Sequence, residues 1–164
     1  VSRKLLETFG VFIGSHVLSI GTAAYKDRSK LEVLLSKFMK ASCGAYKITE
    51  EADKSEVRIL EKSIATKAVQ LIRRAKKMGD TLGGVFEVVV TGVPVGLGSY
   101  VQYDRKLDGL LSQAIASIHA VKGVEIGDGF ANAAKFGSEV HDEIFMKAGV
   151  PYRKTTDYCI EGLI

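Results

Sequence analysis

The stretch that organises this sequence is Thr91–Phe130, which reads T-G-V-P-V-G-L-G-S-Y-V-Q-Y-D-R-K-L-D-G-L-L-S-Q-A-I-A-S-I-H-A-V-K-G-V-E-I-G-D-G-F. It predicts the end of a strand, a bend rich in small residues, a helix and a second strand. Gly92, Gly96 and Gly98 allow positive φ angles or the close approach of another group, and Pro94 fixes φ. We therefore expect a tight bend between two regular elements.

The helix that follows the bend is predicted to run from Asp104 to Val121. Asp104 is placed to cap its first turn through a side-chain oxygen. The apolar residues of the segment recur at helical spacing and form one face; they are Leu107, Leu110, Leu111, Ala114, Ile115 and Ile118. The segment Lys122–Gly127 then has the composition of a short strand bounded by glycine.

The remaining pattern predicts elements on both sides of this unit. Val1–Phe9 and Glu61–Met78 are predicted helices, and Gly84–Val90 is a predicted strand that is apolar enough to be buried.

The polar stretch Ser42–Glu56 is predicted to be a surface insertion, and an extended piece is expected near Gly129–Phe136. Ser29 is placed to cap a helix, extended segments are expected at 11–13 and 16–20, and a short helix is expected to open at Ser138. Because helices and strands follow one another in a mixed order, the sequence favours an α+β layer architecture.

Three blocks of the sequence resemble the chorismate synthase family. They read G-V-P-V-G-L-G-S-Y-V-Q-Y-D-R-K-L-D from Gly92, S-I-H-A-V-K-G-V-E-I-G-D-G-F from Ser117 and G-S-E-V-H-D-E-I-F from Gly137. The blocks are long, in order and correctly spaced, so they are more specific than any single glycine motif. The resemblance implies a β-α-β sandwich with helices packed between antiparallel sheets. It covers the middle of such an enzyme, and we expect residues 1–164 to form a single domain that is an internal portion of a longer chain.

Composition limits the classes of protein to which the sequence can belong. The chain has 164 residues, a net charge of +4 and no Trp, which suits one globular domain. No run approaches the roughly 18 apolar residues that a membrane span requires. Cys43 and Cys159 lie far apart, so free thiols in the cytoplasm are the simpler interpretation. The cations at 73–77 lie at one predicted helix end without interleaved aromatics, so we expect no nucleic-acid partner.

Taken alone, the polar residues form no closed catalytic constellation. The glycines at 92–98 lack the Lys-Ser/Thr of a P-loop and precede the helix by too many residues, so a tight turn explains them better than a phosphate site. We predict that His16 is a satisfied core or edge residue, that His141 lies on a solvated face, and that His119 lies near a helix end. Glu125 and Asp128 are predicted to serve in caps and turns. No pair of histidines has metal spacing, so we expect no metal site.

The resemblance implies a specific chemistry. Chorismate synthases are carbon–oxygen lyases that convert 5-enolpyruvylshikimate 3-phosphate to chorismate by anti-1,4-elimination of phosphate. They require reduced FMN, and NADPH or another flavin reductant is a possible partner. By correspondence with the family's flavin site, we expect FMN to contact His119, Ala120 and Gly162. The family often has Asn where His119 stands and doubled glycines near Gly162, so those two positions depart from its pattern.

The resemblance also implies that catalytic residues lie elsewhere. The family's G-E-S-H-G segment, its substrate-binding arginines and its two acid–base histidines precede the blocks that this sequence matches, and none of the three histidines here corresponds to a catalytic one. We therefore assign no catalytic residue and expect this polypeptide alone to be inactive. The family assembles as homotetramers in the cytoplasm. A non-catalytic scaffold or assembly module of the same fold is the alternative function.

Overall fold

A computed structural model describes residues 1–39, 43–94, 96–140, 144–147, 150–153 and 159–163. The helices are α1 (Ser2–Thr8), α2 (Arg28–Met39), α3 (Gly44–Ala52), α4 (Lys62–Met78), α5 (Leu107–Ala116) and α6 (Gly137–Val140), with 3₁₀ turns at Tyr103–Arg105 and Ala131–Ala134. The strands are β1 (Phe12–Ile20), β2 (Ala23–Ala24), β3 (Gly84–Thr91), β4 (Gly123–Ile126), β5 (Ile144–Lys147), β6 (Val150–Arg153) and β7 (Cys159–Leu163). This mixture of helices and antiparallel strands confirms the predicted α+β class.

The main sheet has five antiparallel strands in the order β2-β1-β3-β7-β4, and β5 pairs with β6 in a separate ribbon. The ladder between β1 and β3 runs from Phe12↔Thr91 to Ile20↔Gly84, with a bulge between Val17 and Ser19. Strand β7 lies between β3 and β4, so segments that are distant in the sequence become neighbours in the sheet. The strand order places β3 at the centre.

Helix α3 packs against β1 and β3 and buries Ala45 and Ile48 together with Val89 of β3. The contact is very close at Gly14, where a Cβ atom would overlap the carbonyl oxygen of Ala45. The sequence predicted two extended segments, 11–13 and 16–20, separated at Gly14. In the structure Gly14 instead lies within the continuous strand β1. Only glycine lets the helix backbone approach the strand this closely.

Helix α4 packs on the β2 end of the sheet and buries Ile64 and Ala68 against Ala23 and Ile59. It begins after Glu61 and ends at Gly79, whose φ of 67° gives a left-handed C-cap. The predicted helix Glu61–Met78 is therefore confirmed within one residue at its start. Among the described helices, none is long and apolar enough to cross a membrane.

Helix α3 and the connection between α3 and α4 cover part of the β1 edge that β2 leaves free. Val17 donates its backbone N–H to the carbonyl of Arg58, and Ser15 donates to Thr49 Oγ1. Arg58 also donates from its guanidinium to the carbonyl of Ser15 at 2.8 Å and pairs with Asp53. Its φ of 57° is left-handed, which is uncommon for a residue with a side chain. Three backbone groups of the edge, in Ser15 and Val17, are thus satisfied without another strand.

Two predicted segments are wrong. The polar stretch 42–56 is not a surface insertion, because its described part forms α3, whose buried face Ala45, Ile48 and Ala52 belongs to the core. The extended piece predicted near Gly129–Phe136 is a turn followed by the 3₁₀ helix at 131–134. In the first segment the buried positions are mainly alanine, which gave too weak an apolar pattern to reveal the helix.

Two predicted helix caps are also wrong. Asp104 lies in the 3₁₀ turn before α5, and the N-cap of α5 is Lys106, which makes no side-chain capping bond. At α2 the capping oxygen belongs to Asp27, which accepts a hydrogen bond from the backbone of Ser29 at 3.0 Å. Helix α5 also ends at Ala116, five residues before the predicted end.

Candidate functional site

The turn between α5 and β4 carries two of the three residues expected to contact flavin. His119 and Ala120 are both exposed. Ser117 donates its hydroxyl to the carbonyl of Ala114 at 2.6 Å, which closes the last turn of the helix. The buried Val121 follows the pair and donates its N–H to the carbonyl of Ile118 at 3.2 Å. The turn is therefore anchored at both ends and open to solvent at its tip.

Ala120 has a φ of 72°, in the left-handed region. Apart from glycines, only Arg58 and Ala120 have a positive φ among the described residues. This conformation costs a residue with a Cβ roughly 1–2 kcal/mol relative to right-handed backbone. Such strain persists where the surrounding structure imposes it, and it clusters at sites that bind ligands.

Gly162 lies in β7, where it pairs with Phe86 on one side and with Val124 on the other. Val124 follows Ala120 by four residues along the chain, so the sheet brings the third expected residue to the strand that the turn enters. Sequence distance alone does not indicate this proximity, because β7 inserts between β3 and β4.

The glycine-rich bend after β3 has the positive φ angles that its sequence predicts. Gly92, Gly96 and Gly98 have φ angles of 78°, 89° and 107°. A Cβ at Gly92 would overlap the carbonyl oxygen of Gly10, and one at Gly98 would lie 3.1 Å from Leu107 Cβ. The bend is therefore a tight turn, as predicted, and it packs against the loop after α1 and the start of α5.

The bend and α5 expose large apolar side chains. Tyr100 is 93 % exposed, and Leu97, Val101, Tyr103 and Leu110 are also exposed. No residue of α5 is buried, although Leu107, Leu111 and Ile115 are partly covered. Exposed apolar side chains in this number on one part of a molecule indicate a surface that binds a ligand or another protein segment.

The acidic residues near the site support the turn that follows β4. Glu125 accepts a hydrogen bond from the backbone N–H of Phe130 through Oε1. Asp128 accepts one from Lys135 Nζ at 2.7 Å, and its carbonyl accepts another from Asn132. These contacts agree with the predicted structural role of both carboxylates.

His16 is a core residue, as predicted, and its partner was missed. The residue is 1 % exposed, and its Nε2 shares a hydrogen bond of 2.5 Å with Oε2 of Glu87, which is also buried. Nδ1 of His16 has no hydrogen-bond partner within the described parts of the chain. Leaving such a group unsatisfied costs about 1–3 kcal/mol. The alternation of β3 could have indicated that Glu87 points inward.

Two further expectations concern histidine and metal. His141 lies outside the described residues, so its predicted place on a solvated face stays a prediction. His119 lies three residues after the end of α5, near a helix end as predicted. Within the ranges that the structure covers, no three His, Cys, Asp or Glu residues are grouped in a way that could hold a metal ion.

The chain is similar in sequence to known proteins over most of its length. The family model described as chorismate synthase matches residues 1–160. The chain is 53 % identical over 157 residues to a chorismate synthase of Chloroherpeton thalassium and 51 % identical over 157 residues to one of Chlorobium phaeobacteroides. Each alignment covers 94 % of this chain and 38 % of the relative.

A solved structure described as the crystal structure of chorismate synthase superposes on this chain with a TM-score of 0.83 and 37 % identity. The match covers 99 % of this chain and 51 % of that one. The chain thus spans about 38 % of the length of the curated relatives that it matches. Family model, sequence relatives and fold agree over nearly every residue. The chain belongs to the chorismate synthase family.

Proposed function

We propose that the protein containing this chain converts 5-enolpyruvylshikimate 3-phosphate to chorismate by anti-1,4-elimination of phosphate, with reduced FMN as cofactor. The chain supplies one wall of the flavin site, formed by His119, Ala120 and Gly162. Membership of the family supports the reaction, and the local structure supports the wall. The alternative of a non-catalytic scaffold gains no separate support from the described residues.

The observation that carries the proposed flavin wall is the left-handed backbone of Ala120 in an exposed turn. A turn that only connected α5 to β4 would be more stable with glycine at this position, because glycine adopts positive φ without strain. A small side chain held in this conformation leaves the flanking peptide groups accessible. We infer that these groups face the bound cofactor.

The surroundings of the turn suit a flat, largely apolar ring system. Ile118 of the turn is exposed, and apolar side chains are the usual lining of cofactor sites. Gly162 adds no side chain on the neighbouring strand. Reduced FMN supplies electron density to the substrate when it is bound. The residues of this chain bind the ring and limit the access of water to it.

Three broader proposals follow from the family. NADPH or another donor serves as reductant of the flavin. The protein is a cytoplasmic homotetramer, for which the exposed apolar side chains of α5 and the bend offer surface to be covered. Residues 1–164 form one domain within a longer chain.

The proposed function is tested by titrating the full-length protein with FMN under anaerobic conditions, with and without 5-enolpyruvylshikimate 3-phosphate. We expect a perturbed flavin absorbance spectrum in the presence of substrate, and chorismate release when reduced FMN is supplied. An unchanged flavin spectrum in the presence of both ligands contradicts the proposal.

Substitutions at Ala120 test the flavin wall itself. Ala120→Gly keeps the left-handed backbone, so FMN affinity should stay close to wild type. Ala120→Val places a β-branched residue where φ is 72°, which forces the turn to change, and we expect FMN affinity to fall about tenfold or more. Ala24→Val, at an exposed position in β2, is the matched control and should leave affinity unchanged. Equal affinities for the two valine variants would remove Ala120 from the site.

A further inference from the structure

The two faces of the main sheet are covered to different extents where β1 and β3 pair. Directly opposed residues of an antiparallel ladder point to the same face, and successive residues alternate between the faces. On the face that meets α3, the central residues are all buried; they are Gly14, His16, Glu87, Val89 and Thr91. On the second face the apolar residues are all half-buried; they are Ile13, Val17, Phe86, Val88 and Val90. The described residues therefore leave an apolar sheet face incompletely covered.

A groove lies on this second face beside helix α4. Val17 and Ile20 pack against the core cluster to which α4 contributes. Next to this contact, a cavity of about 590 Å³ has Val17, Ile20 and Phe86 on its sheet side and Ile72 and Lys76 on its helix side. We call this cavity the α4 groove. Because Ile72 is 40 % exposed, both the sheet and the helix present apolar surface to whatever lies between them.

The helix beside the groove is basic. Helix α4 contains six Lys or Arg residues and no Asp or Glu. Lys76 lines the groove, and Arg73 is exposed three residues earlier, on the adjacent turn. Among the described residues that line the groove, Asp80 is the single acid, and its Oδ1 accepts a hydrogen bond from the backbone of Thr81. An element that lies next to α4 is therefore favoured if it carries acidic residues along the edge that faces Lys76.

The position of α4 limits the kind of element that can reach the sheet. A helix with its side chains is about 10–12 Å thick, so α4 holds a second flat sheet away from Val17 and Phe86. A helix that lies alongside α4, at the usual separation of about 8–10 Å, can place an apolar stripe on both residues. If that helix were the α4 of a second copy, two basic helices would lie side by side and repel each other. The groove thus fits an amphipathic helix of opposite charge to α4.

The relatives indicate where such a helix comes from. The aligned region covers 38 % of each of the two chorismate synthases, so most of such a polypeptide lies outside it. A segment of the same polypeptide competes for the groove at an effective concentration of about millimolar, which favours it over a separate molecule. We propose that an amphipathic helix with an acidic edge, from outside residues 1–164 of the same polypeptide, docks in the α4 groove with that edge against Lys76. This inference rests on the proposed place of residues 1–164 within a longer chain.

A photo-cross-linker in the groove identifies the occupant in the full-length protein. With p-benzoylphenylalanine in place of Phe86, irradiation should give a product with the mass of one chain. Peptide mass spectrometry should locate the link in an apolar segment outside residues 1–164 that contains Asp or Glu. A product with the mass of two chains, a link to added FMN, or no link at all would each overturn the proposal. The same cross-linker at Lys67, on the opposite side of α4, is the control and should not label that segment.

Charge reversal tests the acidic edge without a bulky side chain. Lys76 and Lys67 are both exposed and lie about 180° apart around the helix. In the full-length protein, Lys76→Glu should lower the melting temperature by about 2 °C or more, and Lys67→Glu by less than about 1 °C. Both variants also carry Asp80→Asn, so that repulsion between the new carboxylate and Asp80 does not contribute. Equal melting temperatures would overturn the proposal.

The outcome for the proposed function is read separately. If the wild type releases chorismate but position 86 cross-links two chains, the reaction stands and the docked helix is wrong. If the wild type releases no chorismate but position 86 links to a segment outside residues 1–164 of its own chain, the docked helix stands and the proposed reaction is wrong.

Discussion

The region around α3 and the region around α5 contain helices of similar length that differ in how far they are buried. Helix α3 buries Ala45, Ile48 and Ala52 against the sheet, and its backbone touches the strand at Gly14. Helix α5 is more apolar in sequence, yet it buries no residue completely. The comparison teaches that apolar content does not predict burial within this chain.

The difference also separates two kinds of role. The α3 region has its packing partners among the described residues. Its side chains must therefore match the shape of the core that they fill. The α5 region and the bend before it present apolar side chains to their surroundings, so their sequence is constrained by what binds there. The proposed contacts of the flavin wall lie in the second region and on the strand beside it.

The largest expected effect comes from adding one methyl group at Gly14. Because a Cβ there would overlap the carbonyl oxygen of Ala45, Gly14→Ala must push α3 away from the sheet. We expect a loss of about 4 kcal/mol in the free energy of unfolding, at the upper end of single-residue effects. Urea unfolding followed by circular dichroism measures it.

The matched control is the same change in the α5 region. A Cβ at Gly109 would lie 3.6 Å from the carbonyl oxygen of Tyr103, an ordinary contact. Gly109→Ala should therefore raise stability by about 0.5–1 kcal/mol, the usual advantage of alanine within a helix. If both alanine variants had similar stabilities, the contrast in packing between the two regions would be wrong.

Truncating one large side chain in each helix sharpens the comparison. Ile48 is 0 % exposed and packs in the α3 core, so Ile48→Ala should cost about 3 kcal/mol. Leu110 in α5 is 48 % exposed, so Leu110→Ala should cost less than about 1 kcal/mol. Thermal unfolding of the two variants in parallel provides the measurement. A larger loss at Leu110 would show that α5 is covered in the intact protein.

The smallest expected effect concerns acid stability at α2, outside both regions. The hydrogen bond with the Ser29 side chain, followed by the one from its backbone, lowers the pKa of Asp27 below its ordinary value of 3.8. A carboxyl whose folded pKa is lowered stabilises the fold above the unfolded pKa, and this stabilisation is lost as the pH falls through the folded pKa. Asp27→Asn should therefore flatten the dependence of unfolding on pH below about pH 4. An unchanged dependence would mean that Asp27 does not act as the cap.

Sequence patterns predicted the long elements well because their periodicity is strong. Helix α4 has a clear apolar stripe and a glycine at its end, and β3 has a run of β-branched residues. Helix α3 was missed because its buried positions are mainly alanine and glycine, which give little contrast with the polar positions between them. Capping by Asp27 rather than Ser29 was missed because both residue types satisfy the same rule.

The candidate site was predicted only in part for a different reason. The glycine bend and the position of His119 near the end of a helix follow from local sequence. The neighbourhood of Gly162 and β4 depends on the insertion of β7 between two other strands, which no local pattern encodes. The pairing of His16 with Glu87 likewise depends on a register set across 71 positions of sequence.

The covered edge of β1 has a consequence for how the protein behaves at high concentration. Arg58 and Thr49 occupy backbone groups that would otherwise recruit a strand from another molecule. In natural proteins the edge strands of sheets are usually covered or interrupted, which prevents aggregation. Removing the Arg58 guanidinium should therefore reduce solubility on concentration or storage before it changes the chemistry that the protein supports.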